Sequence, residues 1–548
     1  MLRHALILTV GLLVTACATV PVGGPTAPAN DSAAGKLTLA SGRSVWVYPK
    51  DLAFTGRANY QWPSGQIYDG NWERGRPHGT GTIELPGGER YSGMWDQGRR
   101  HGHGELTTAQ GNHYVGEFVN GLRHGEGVER SADGLFRGSW KADLPTGQGE
   151  FHANDGSRYQ GQWQGGQRQG FGTFVDETGS TYEGDWFADT PHGFGTLTGL
   201  DGASYQGRWS QGRRDGYGNA TDASGLHYEG TWLAGQRQGF GMVARPDGSS
   251  YRGDWQKDKR HGQGRETFAD GSFHDGSWES NQPLGPGIRR NPTGIEISGV
   301  WNGDFVSTGL LTLPTGHEFA GPLFKNRNEQ ASQLLVRWLT DTARQGDPYA
   351  QLFLGTLFSD FKEPAKNVIQ AQAWFAKAAL AGLAEAQYRL ALTQAETNVP
   401  RTIELLAQAA EQDHAGANDL LGEYYLAGEA VPQNMETAIR YFERALAAGS
   451  VQARNNLAWI LATSTAGEFR DGARAVALIR PVALLYGNWQ YLDTLAAAHA
   501  EAGDFDQAVA AQQRAIEDAA GSDAVDDATA AQLQQRLRAF QQQQPARE

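Results

Sequence analysis

Aromatic and bulky apolar residues recur along the first three-fifths of the chain every 23 residues, apart from two steps of 22. A fixed period of this length indicates an array of structural repeats. The recurring positions are Tyr68, Tyr91, Tyr114, Phe136, Tyr159, Tyr182, Tyr205, Tyr228, Tyr251, His274, Ile297 and Phe319.

Within each period the residues alternate as they do in a β-strand. In the period that begins at Tyr68, Gly70 and Trp72 follow at intervals of two residues, with Asp69 and Asn71 between them. Alternate residues of a strand share one face, so Tyr, Gly and Trp lie together and the polar residues face the other way. We therefore predict strands with one aromatic face and one solvated face.

Two turn signals divide each period. Three residues after the Trp position stands Gly, Asp or Asn, for example Gly75 or Asp143. These residue types tolerate the positive φ of a tight hairpin turn. A second signal, such as Asp155-Gly156, precedes the next aromatic position. Each repeat is therefore predicted to be a β-hairpin, and stacked hairpins to form an elongated, single-layer antiparallel array on the order of 110 Å long.

The Y-x-G-x-W frame and the G-x-x-H-G-x-G that follows it, as in residues 121–127, resemble the MORN repeat family. The resemblance covers about residues 54 to 324. It implies about 12 repeats in a β-region that spans residues 37–324. The frame weakens at its far end, where Leu323 stands in the position of Trp, as is typical of the last repeats of a finite array.

Near Lys325 glycine becomes sparse, and apolar residues recur at helical spacing. Four units begin with an alanine followed by a polar residue, and they lie 36, 31 and 36 residues apart, at Ala350, Ala386, Ala417 and Ala453. Each unit is predicted to start the first helix of a helix pair.

This pattern resembles the Sel-like α/α repeat, a relative of the tetratricopeptide repeat, and implies an α/α solenoid over residues 325–520. The segment from Tyr491 to Ala515 resembles a tetratricopeptide unit. The unit that starts at Ala386 is short, and its second helix is expected at Arg401 to Glu411. An acidic, Gln-rich tail, residues 521–548, has room for one more helix. The predicted fold class is a β + α repeat protein.

Residues 1–16 combine a basic start with a short apolar run and are predicted to be an export signal. The next residue, Cys17, is the only cysteine, and Val14-Thr15-Ala16-Cys17 resembles the lipobox of bacterial lipoproteins. The resemblance implies acylation of Cys17 and, with Ala18 after it, an outer-membrane lipoprotein of a Gram-negative cell that faces the periplasm. The alternative is ordinary cleavage at an A-x-A-like site, which discards the cysteine. Residues 17–36 are rich in Pro and Gly and are expected to be a flexible tether.

The net charge of −14 is spread along the chain, without the basic stripe that nucleic-acid binding requires. Pairs of cations recur at one position of the β-repeats. We expect them to be solvated turn charges, with a functional row along one sheet edge as the alternative. The pairs are Arg99-Arg100, Arg213-Arg214 and Lys259-Arg260.

The sequence contains no motif that points to catalysis, a metal or a cofactor, and we predict that the protein is not an enzyme. Glu183 and Asp185 are the alternative, as a glycosidase pair, but both are expected to be solvated. The Tyr and Trp ladder is expected to stack on neighbouring glycines, with sugar or peptide binding as its alternative. Histidines recur about 10 Å apart, too far for two to share a metal, at His78, His101, His124, His192 and His261.

These observations predict a lipid-anchored cell-envelope scaffold whose helical repeats bind an unknown envelope protein, with the β-region as spacer or second binding surface. Two alternatives are open. In one the β-repeats bind phospholipid, a role implied by the family resemblance; in the other the protein is an envelope or peptidoglycan-associated enzyme. The candidate partner-binding residues are expected to be exposed on the first helices and are Gln351, Gln387, Asn418, Arg454 and Asn455.

Overall fold

The computed structural model describes residues 33–48, 51–325, 331–360, 367–522 and 525–547. The chain divides after Gly218 into two compact units. Cys17, the lipobox and the signal peptide lie outside the described residues, as does most of the predicted tether.

The first unit is built of short antiparallel strands in hairpin order. β1 pairs with both β2 and β3, and each strand from β3 to β15 pairs with the next strand in the sequence. The strands are β1 Gly35–Leu39, β2 Ser44–Val47, β3 Gly56–Gln61, β4 Ile67–Glu73, β5 Arg76–Glu84, β6 Arg90–Asp96, β7 Arg99–Thr107, β8 His113–Val119, β9 Leu122–Arg130, β10 Gly134–Lys141, β11 Leu144–Ala153, β12 Arg158–Gln164, β13 Gln167–Val175, β14 Thr181–Phe187, β15 Thr190–Thr198, β16 Ser204–Ser210 and, containing the division point, β17 Arg213–Thr221.

The second unit continues with hairpins and then becomes helical. Strands β18 to β26 pair antiparallel, each with the next. They are β18 His227–Leu233, β19 Gln236–Ala244, β20 Ser250–Gln256, β21 Lys259–Thr267, β22 Phe273–Glu279, β23 Gln282–Arg290, β24 Glu296–Asn302, β25 Phe305–Thr312 and β26 Glu318–Pro322. The helices are α1 Gln333–Arg344, α2 Pro348–Asp360, α3 Val368–Leu380, α4 Ala384–Gln394, α5 Val399–Ala410, α6 Ala415–Ala427, α7 Met435–Ala447, α8 Val451–Thr463, α9 Gly472–Tyr486, α10 Trp489–Glu501, α11 Phe505–Ala520 and α12 Asp527–Gln541.

The turns of the hairpins have the backbone conformation predicted from their residue types. In the turn between β6 and β7, Gln97 has φ 52° and Gly98 has φ 81°. Ala142 and Asp143 repeat this with φ 50° and 66°. Positive φ at both central residues is the hallmark of the type I′ turn, which matches the twist of antiparallel strands.

Paired glycines let each tyrosine lie flat over its hairpin. Gly70 of β4 faces Gly81 of β5, and Tyr68 lies above them. A Cβ added at Gly81 would be 2.1 Å from the Tyr68 hydroxyl, which leaves no room for a side chain. The expectation that the Tyr and Trp ladder stacks on neighbouring glycines is therefore confirmed for Tyr68 and Gly81.

The aromatic ladder holds neighbouring hairpins together. The Tyr91 ring meets the Trp95 ring edge to face, with the ring centres 5.2 Å apart. Tyr68, which belongs to the preceding repeat, meets the same Trp95 ring at 5.3 Å. Trp95 Nε1 donates to the Gly81 carbonyl at 3.0 Å, and the Tyr91 hydroxyl donates to the Met94 carbonyl at 2.8 Å. Each ring therefore contributes apolar burial and satisfies its polar atom on backbone.

In the helical region, small residues on the first helix admit a large residue from the second. Gly355 of α2 lies against Phe375 of α3, and Gly422 of α6 lies against Phe442 of α7. Both phenylalanines are fully buried. In the short unit α4 carries Ala391 in place of the glycine, and the residue of α5 that corresponds to Phe375 is Leu406, which is also fully buried. The expected second helix therefore forms without the aromatic residue.

The last strands and the first helices share one hydrophobic core. Trp301 and Leu311 from the strands pack in the same cluster as Leu335 and Leu339 of α1 and Leu354 of α2. The change from strand to helix near residue 325 therefore falls inside a compact unit. None of the helices within the described residues is long and apolar enough to cross a bilayer.

The predicted fold class is confirmed as an antiparallel β-hairpin array over residues 35–322 followed by helical repeats over residues 333–541. The helix expected in the C-terminal tail is α12. It is fastened to the preceding repeat because Arg536 donates from Nε and Nη2 to the two carboxylate oxygens of Asp493, at 3.0 and 2.8 Å.

Candidate functional site on the first helices

The aromatic ladder of the β-repeats is not an accessible surface. Tyr68 and Tyr91 have no exposed area, and Trp95 is 3% exposed. The expectation that these rings stack within the array is confirmed, and sugar or peptide binding by them would require the array to open.

The basic residues of the β-repeats divide into solvated and buried ones. Arg99 is exposed, as expected, but Arg100 beside it is 2% exposed, so the expectation of a solvated charge is wrong for Arg100. Its guanidinium lies 5.7 Å from the Tyr91 ring and 5.5 Å from the Phe118 ring, and Nε donates to the Gly121 carbonyl at 3.2 Å. Strand alternation turns one residue of the pair onto the aromatic face.

Where a repeat has an arginine at this position, the side chain also ties its hairpin to the next turn; other repeats have proline there, as at Pro77 and Pro191. Arg168 donates from Nε to the Asp189 carboxylate at 3.2 Å and from Nη2 to the Asp189 carbonyl at 2.9 Å, while its guanidinium lies 4.3 Å from the Trp186 ring. Arg237 holds Asp258 in the same way. Arg100, Arg168 and Arg237 therefore hold the array together.

The histidines at the recurring position lie among ordinary polar partners. His78, for instance, is 3.4 Å from a carboxylate oxygen of Glu73 and 3.4 Å from one of Asp96. Within the part of the chain that the structure describes, no group of three or more His, Cys, Asp or Glu side chains is arranged to hold a metal ion.

Three of the five candidate partner-binding residues are not exposed, so that expectation is wrong for them. Gln351 is 7% exposed, Gln387 5% and Asn418 fully buried. Gln351 Nε2 donates to the Ala343 carbonyl at 3.0 Å, and Asn418 Nδ2 donates to the His414 carbonyl at 2.9 Å. Gln351 and Asn418 thus bond to carbonyls that precede them, whereas Gln387 Oε1 accepts from Gln412 Nε2 at 3.0 Å, after the next helix. The polarity of these amides serves packing.

The other two candidates are partly exposed and lie on α8. Arg454 Nη1 donates to the Pro246 carbonyl in the β19–β20 turn at 2.9 Å, so its charge is directed at the β-repeats of the same unit. Near it, the Tyr486 hydroxyl donates to the Asp247 carboxylate. Asn455 Oδ1 is buried and accepts no hydrogen bond from the described residues. Arg454 therefore contributes to an internal contact.

A different set of first-helix side chains forms a polar cluster, which we call the acidic face: Tyr388, Asp419, Glu423, Asn456 and Tyr491. Glu423 is exposed, whereas Asp419 is only 9% exposed. Asp419 and Glu423 are four residues apart on α6 and so share one side of that helix. Asn456 Nδ2 on α8 bridges them, at 3.3 Å from Asp419 Oδ1 and 3.2 Å from Glu423 Oε1. Ser450 Oγ donates to the other oxygen of Asp419 at 3.2 Å.

Electrostatics links this surface across four first helices. Burial raises the pKa of Asp419 to about 6, and the neighbouring Glu423 carboxylate adds to the rise. Burial also raises the pKa of Tyr491 on α10, with the Asp419 charge as the second cause. Burial and nearby carboxylates, Asp419 among them, raise the pKa of Tyr388 on α4.

The two carboxylates of the acidic face lack the cation that other buried acids in the helices have. Glu385 accepts from Arg389 Nε at 2.7 Å and from His414 Nε2 at 2.8 Å. Asp419 and Glu423, in contrast, are within salt-bridge distance of no cationic side chain among the described residues. Two adjacent carboxylates between tyrosines are suited to a cationic group from outside the chain.

The acidic face could have been found in the sequence through the spacing of Asp419 and Glu423 on a helix that Ala417 had already placed. The polar residue directly after each alanine lies one helical step of about 100° away from that alanine. In three of the units, at Gln351, Gln387 and Asn418, this position is buried.

Comparison with known families agrees with this architecture. The MORN repeat family matches residues 68–90, 91–113, 114–135, 136–158, 159–181, 182–204, 205–227, 228–250 and 251–273. The Sel1 repeat family matches residues 348–383, 384–414 and 415–450. No curated protein matches the chain.

Several solved structures are similar to part of the chain. A Sel1 repeat protein from Oxalobacter formigenes has 22% identity over 36% of this chain and 58% of its own, with a TM-score of 0.30. The protective antigen c5321 of uropathogenic Escherichia coli, which displays an SLR fold, has 20% identity over 38% and 57%, with a TM-score of 0.25. The tetratricopeptide protein TTC0263 of Thermus thermophilus has 18% identity over 38% and 98%, with a TM-score of 0.23. The matched part spans less than two thirds of the first two proteins.

Proposed function

Because this chain contains nine MORN repeats followed by three Sel1 repeats, we propose that it is a non-enzymatic scaffold that binds a protein partner through its helical repeats. The observation that carries the proposal is the acidic face, where Asp419 and Glu423 share an amide but have no cation among the described residues. The partner we propose is a protein segment that presents Lys or Arg side chains.

The charge state of Asp419 supports this choice of partner. With a pKa of about 6, the group is mostly ionised at neutral pH, although burial and Glu423 both oppose its charge. A cation placed beside the Asp419 carboxylate would stabilise its charged form and so lower the pKa of Asp419. Binding and ionisation are therefore coupled, and affinity is expected to fall as the pH drops below about 6 because the attracting charge is lost.

The proposed location is the cell envelope, with the chain held at the outer membrane by acyl groups on Cys17. The support is the lipobox-like Val14-Thr15-Ala16-Cys17 and the lack of any other thiol. A Cys17→Ser variant is expected to leave the membrane fraction, and intact-mass analysis of the native protein to show an acylated Cys17 at its N-terminus. A mature chain that begins at Thr19 without lipid would contradict the anchor.

The binding proposal is tested in intact cells with a photo-crosslinking residue in place of Gln452, an exposed residue that hydrogen-bonds Asn456 at the edge of the acidic face. A crosslinked partner is expected, and mass spectrometry should place the crosslink in a basic segment of that partner. The same partner should then be retained by the purified wild-type chain and lost by the Asp419→Asn/Glu423→Gln double variant.

Glu517→Gln is the matched control, because Glu517 is an exposed carboxylate on the second helix α11. It removes one surface charge and should leave binding unchanged. Equal binding by the double variant and the wild type, or a crosslinked segment without Lys or Arg, would exclude the acidic face as the binding surface.

A further inference from the structure

The face of the hairpin array opposite the buried tyrosines carries a row of exposed aromatic residues, which the family frame does not require. Phe171, Phe194 and Tyr217 lie 23 residues apart at the middle position of successive G-x-G segments, on β13, β15 and β17 of the first unit. They are 54%, 55% and 54% exposed. We call these three residues the aromatic row.

The fold does not demand aromatic rings at this position. Earlier repeats of the same unit carry Thr80, His103, Glu126 and Gln148 there. Those repeats form the same hairpins with the same glycine pairing. A solvent-exposed ring also gains little packing energy, because more than half of its surface stays in water. The rings of Phe171 and Phe194 therefore have no evident structural role.

Charged and polar side chains alternate with the rings. Asp185 lies opposite Phe171 in the β13–β14 ladder, and Arg208 lies opposite Phe194 in the β15–β16 ladder. Asp185 also accepts a hydrogen bond from the Phe194 amide at 3.0 Å, which fixes it between two rings. Adjacent strands are about 4.8 Å apart, so successive rings are about 10 Å apart with one hydrogen-bonding residue between them.

The row is too narrow for a globular partner. An aromatic side chain buries roughly 200 Å², so three half-exposed rings offer about 300 Å². A stable protein interface needs about 800 Å² from each partner, with an apolar centre. Here Asp185 and Arg208 interrupt the apolar surface at every step. The small apolar area also argues against the binding of a second copy of this chain to the aromatic row.

A linear polymer with a matching repeat fits the row better. We propose that the aromatic row binds an extended, uncharged polysaccharide. The flat apolar faces of its sugar rings would stack on Phe171, Phe194 and Tyr217, and its hydroxyls would hydrogen-bond to Asp185 and Arg208. Asp185 and Arg208 carry opposite charges and so leave the row without the net cation that a nucleic-acid strand needs for its phosphates.

The location on the face of the sheet also separates this surface from peptide binding by strand addition. Strand addition uses the unpaired backbone of an edge strand. β13 and β15 are each paired on both sides, so their backbone groups are already used. Recognition at this position must therefore come from side chains.

The test uses the full chain and isothermal titration calorimetry with two extended, uncharged hexasaccharides, cellohexaose and fully N-acetylated chitohexaose. The wild-type chain is expected to bind at least one of them. The triple variant Phe171→Gln/Phe194→Gln/Tyr217→Gln should bind about tenfold more weakly or not at all. Glutamine is compatible with the fold because Gln148 occupies the same position in another repeat. The circular dichroism spectrum and melting temperature of the triple variant should match the wild type.

The control variant His103→Gln/Glu126→Gln changes the same repeat position outside the row and should bind as the wild type does. Maltohexaose, whose α-linkages curve the chain, should bind more weakly than the extended sugars. The proposal is overturned if neither extended sugar binds, or if the triple variant binds as well as the wild type. It is also overturned if the triple variant changes only self-association in sedimentation velocity.

Discussion

The β-repeats and the helical repeats solve the same problem, the burial of apolar surface by stacking similar units, with opposite use of side-chain size. The hairpins bury large rings such as Tyr91 and Trp95 over glycines that have no side chain. The helices bury mostly alanine, with single large residues such as Phe375 and Phe442. The hairpin array therefore depends on glycine under each large ring, because no side chain fits there. The helices, in contrast, have either glycine or alanine at the equivalent position, as Gly355 and Ala391 show.

This difference shows where function can reside in each region. In the hairpins, the residues that recur are needed for the fold, and the aromatic row stands out because it departs from the repeat on the opposite face. In the helices, the recurring amides Gln351, Gln387 and Asn418 are structural, and the acidic face again uses residues that do not recur. In both regions the repeated positions hold the structure, and the positions that vary supply the candidate binding surfaces.

The sharpest test of this contrast is the insertion of one methyl group at a glycine of each region. Gly81→Ala would place its Cβ 2.1 Å from the hydroxyl of the fully buried Tyr68, which cannot move without breaking its ladder contacts. We expect a loss of about 3 kcal/mol in the free energy of unfolding. In the helices, Gly355→Ala meets the Phe375 ring at 2.5 Å but gains about 1 kcal/mol of helix propensity, so its net loss should be smaller.

Urea unfolding followed by tryptophan fluorescence measures the array variant, and circular dichroism at 222 nm measures the helical one. Gly87→Ala is the control, because an added Cβ there has no neighbour within 4 Å. It should leave the stability within about 1 kcal/mol of the wild type or raise it. Equal losses for Gly81→Ala and Gly87→Ala would show that the glycine pairs are not the constraint.

The next test compares a buried with an exposed arginine of the hairpins. Arg100→Ala removes a buried guanidinium from between Tyr91 and Phe118 and leaves the Gly121 carbonyl without its donor. We expect a loss of about 2 kcal/mol. Arg99→Ala, one residue away but exposed, should cost less than about 0.5 kcal/mol.

Salt distinguishes the two arginines further. A buried contact is poorly screened, so the difference between the Arg100→Ala variant and the wild type should persist in 1 M salt. Two outcomes would contradict a structural role for Arg100. One is an equal loss of stability in both single variants, and the other is the disappearance of the Arg100→Ala effect at high salt.

The sequence was sufficient for the hairpins because their signals are local. A hairpin turn of this type needs positive φ at two adjacent residues. Gly98 and Asp143 are residue types that tolerate positive φ, so they indicate the turns in the sequence. The helical units were recognisable for the same reason, since α5 formed at the predicted place without its aromatic residue. In both regions, periodicity was sufficient to place the secondary-structure elements and their apolar residues.

The partner-binding residues could not be predicted in this way, because exposure depends on contacts between units. Gln351 and Asn418 are polar and near a helix start, which favours exposure, but both bond to carbonyls of the preceding segment. Arg100 and Arg99 are identical in type and adjacent in sequence, and only the strand face separates them. The aromatic row could have been identified from its 23-residue spacing in the sequence. It has the same period as the more frequent buried tyrosines, so the spacing alone does not distinguish the two sets.

The smallest effect is expected where the array departs from its own pattern. His274 replaces the usual tyrosine and is fully buried, with its ring 5.2 Å from Trp278 and 5.4 Å from Trp301, edge to face. Neither ring nitrogen has a hydrogen-bond partner among the described residues. In the preceding repeat the Tyr251 hydroxyl donates to the Asp254 carbonyl at 3.0 Å. His274→Tyr should therefore restore this hydrogen bond and raise stability by about 1 kcal/mol at pH 7.

The pH dependence separates this explanation from a general gain in packing. Burial, and next the Arg289 charge, lower the pKa of His274 from 6.5 to about 4. Between these values the unfolded chain binds a proton that the folded chain refuses, so stability falls as the pH drops from 6.5 towards 4, by at most about 1.4 kcal/mol per pH unit. Urea unfolding between pH 4.5 and 7.5 should show this slope in the wild type and in the control His103→Tyr, whose histidine is exposed. In His274→Tyr the slope should be reduced; a slope equal to that of the wild type would mean that His274 is not the group that titrates.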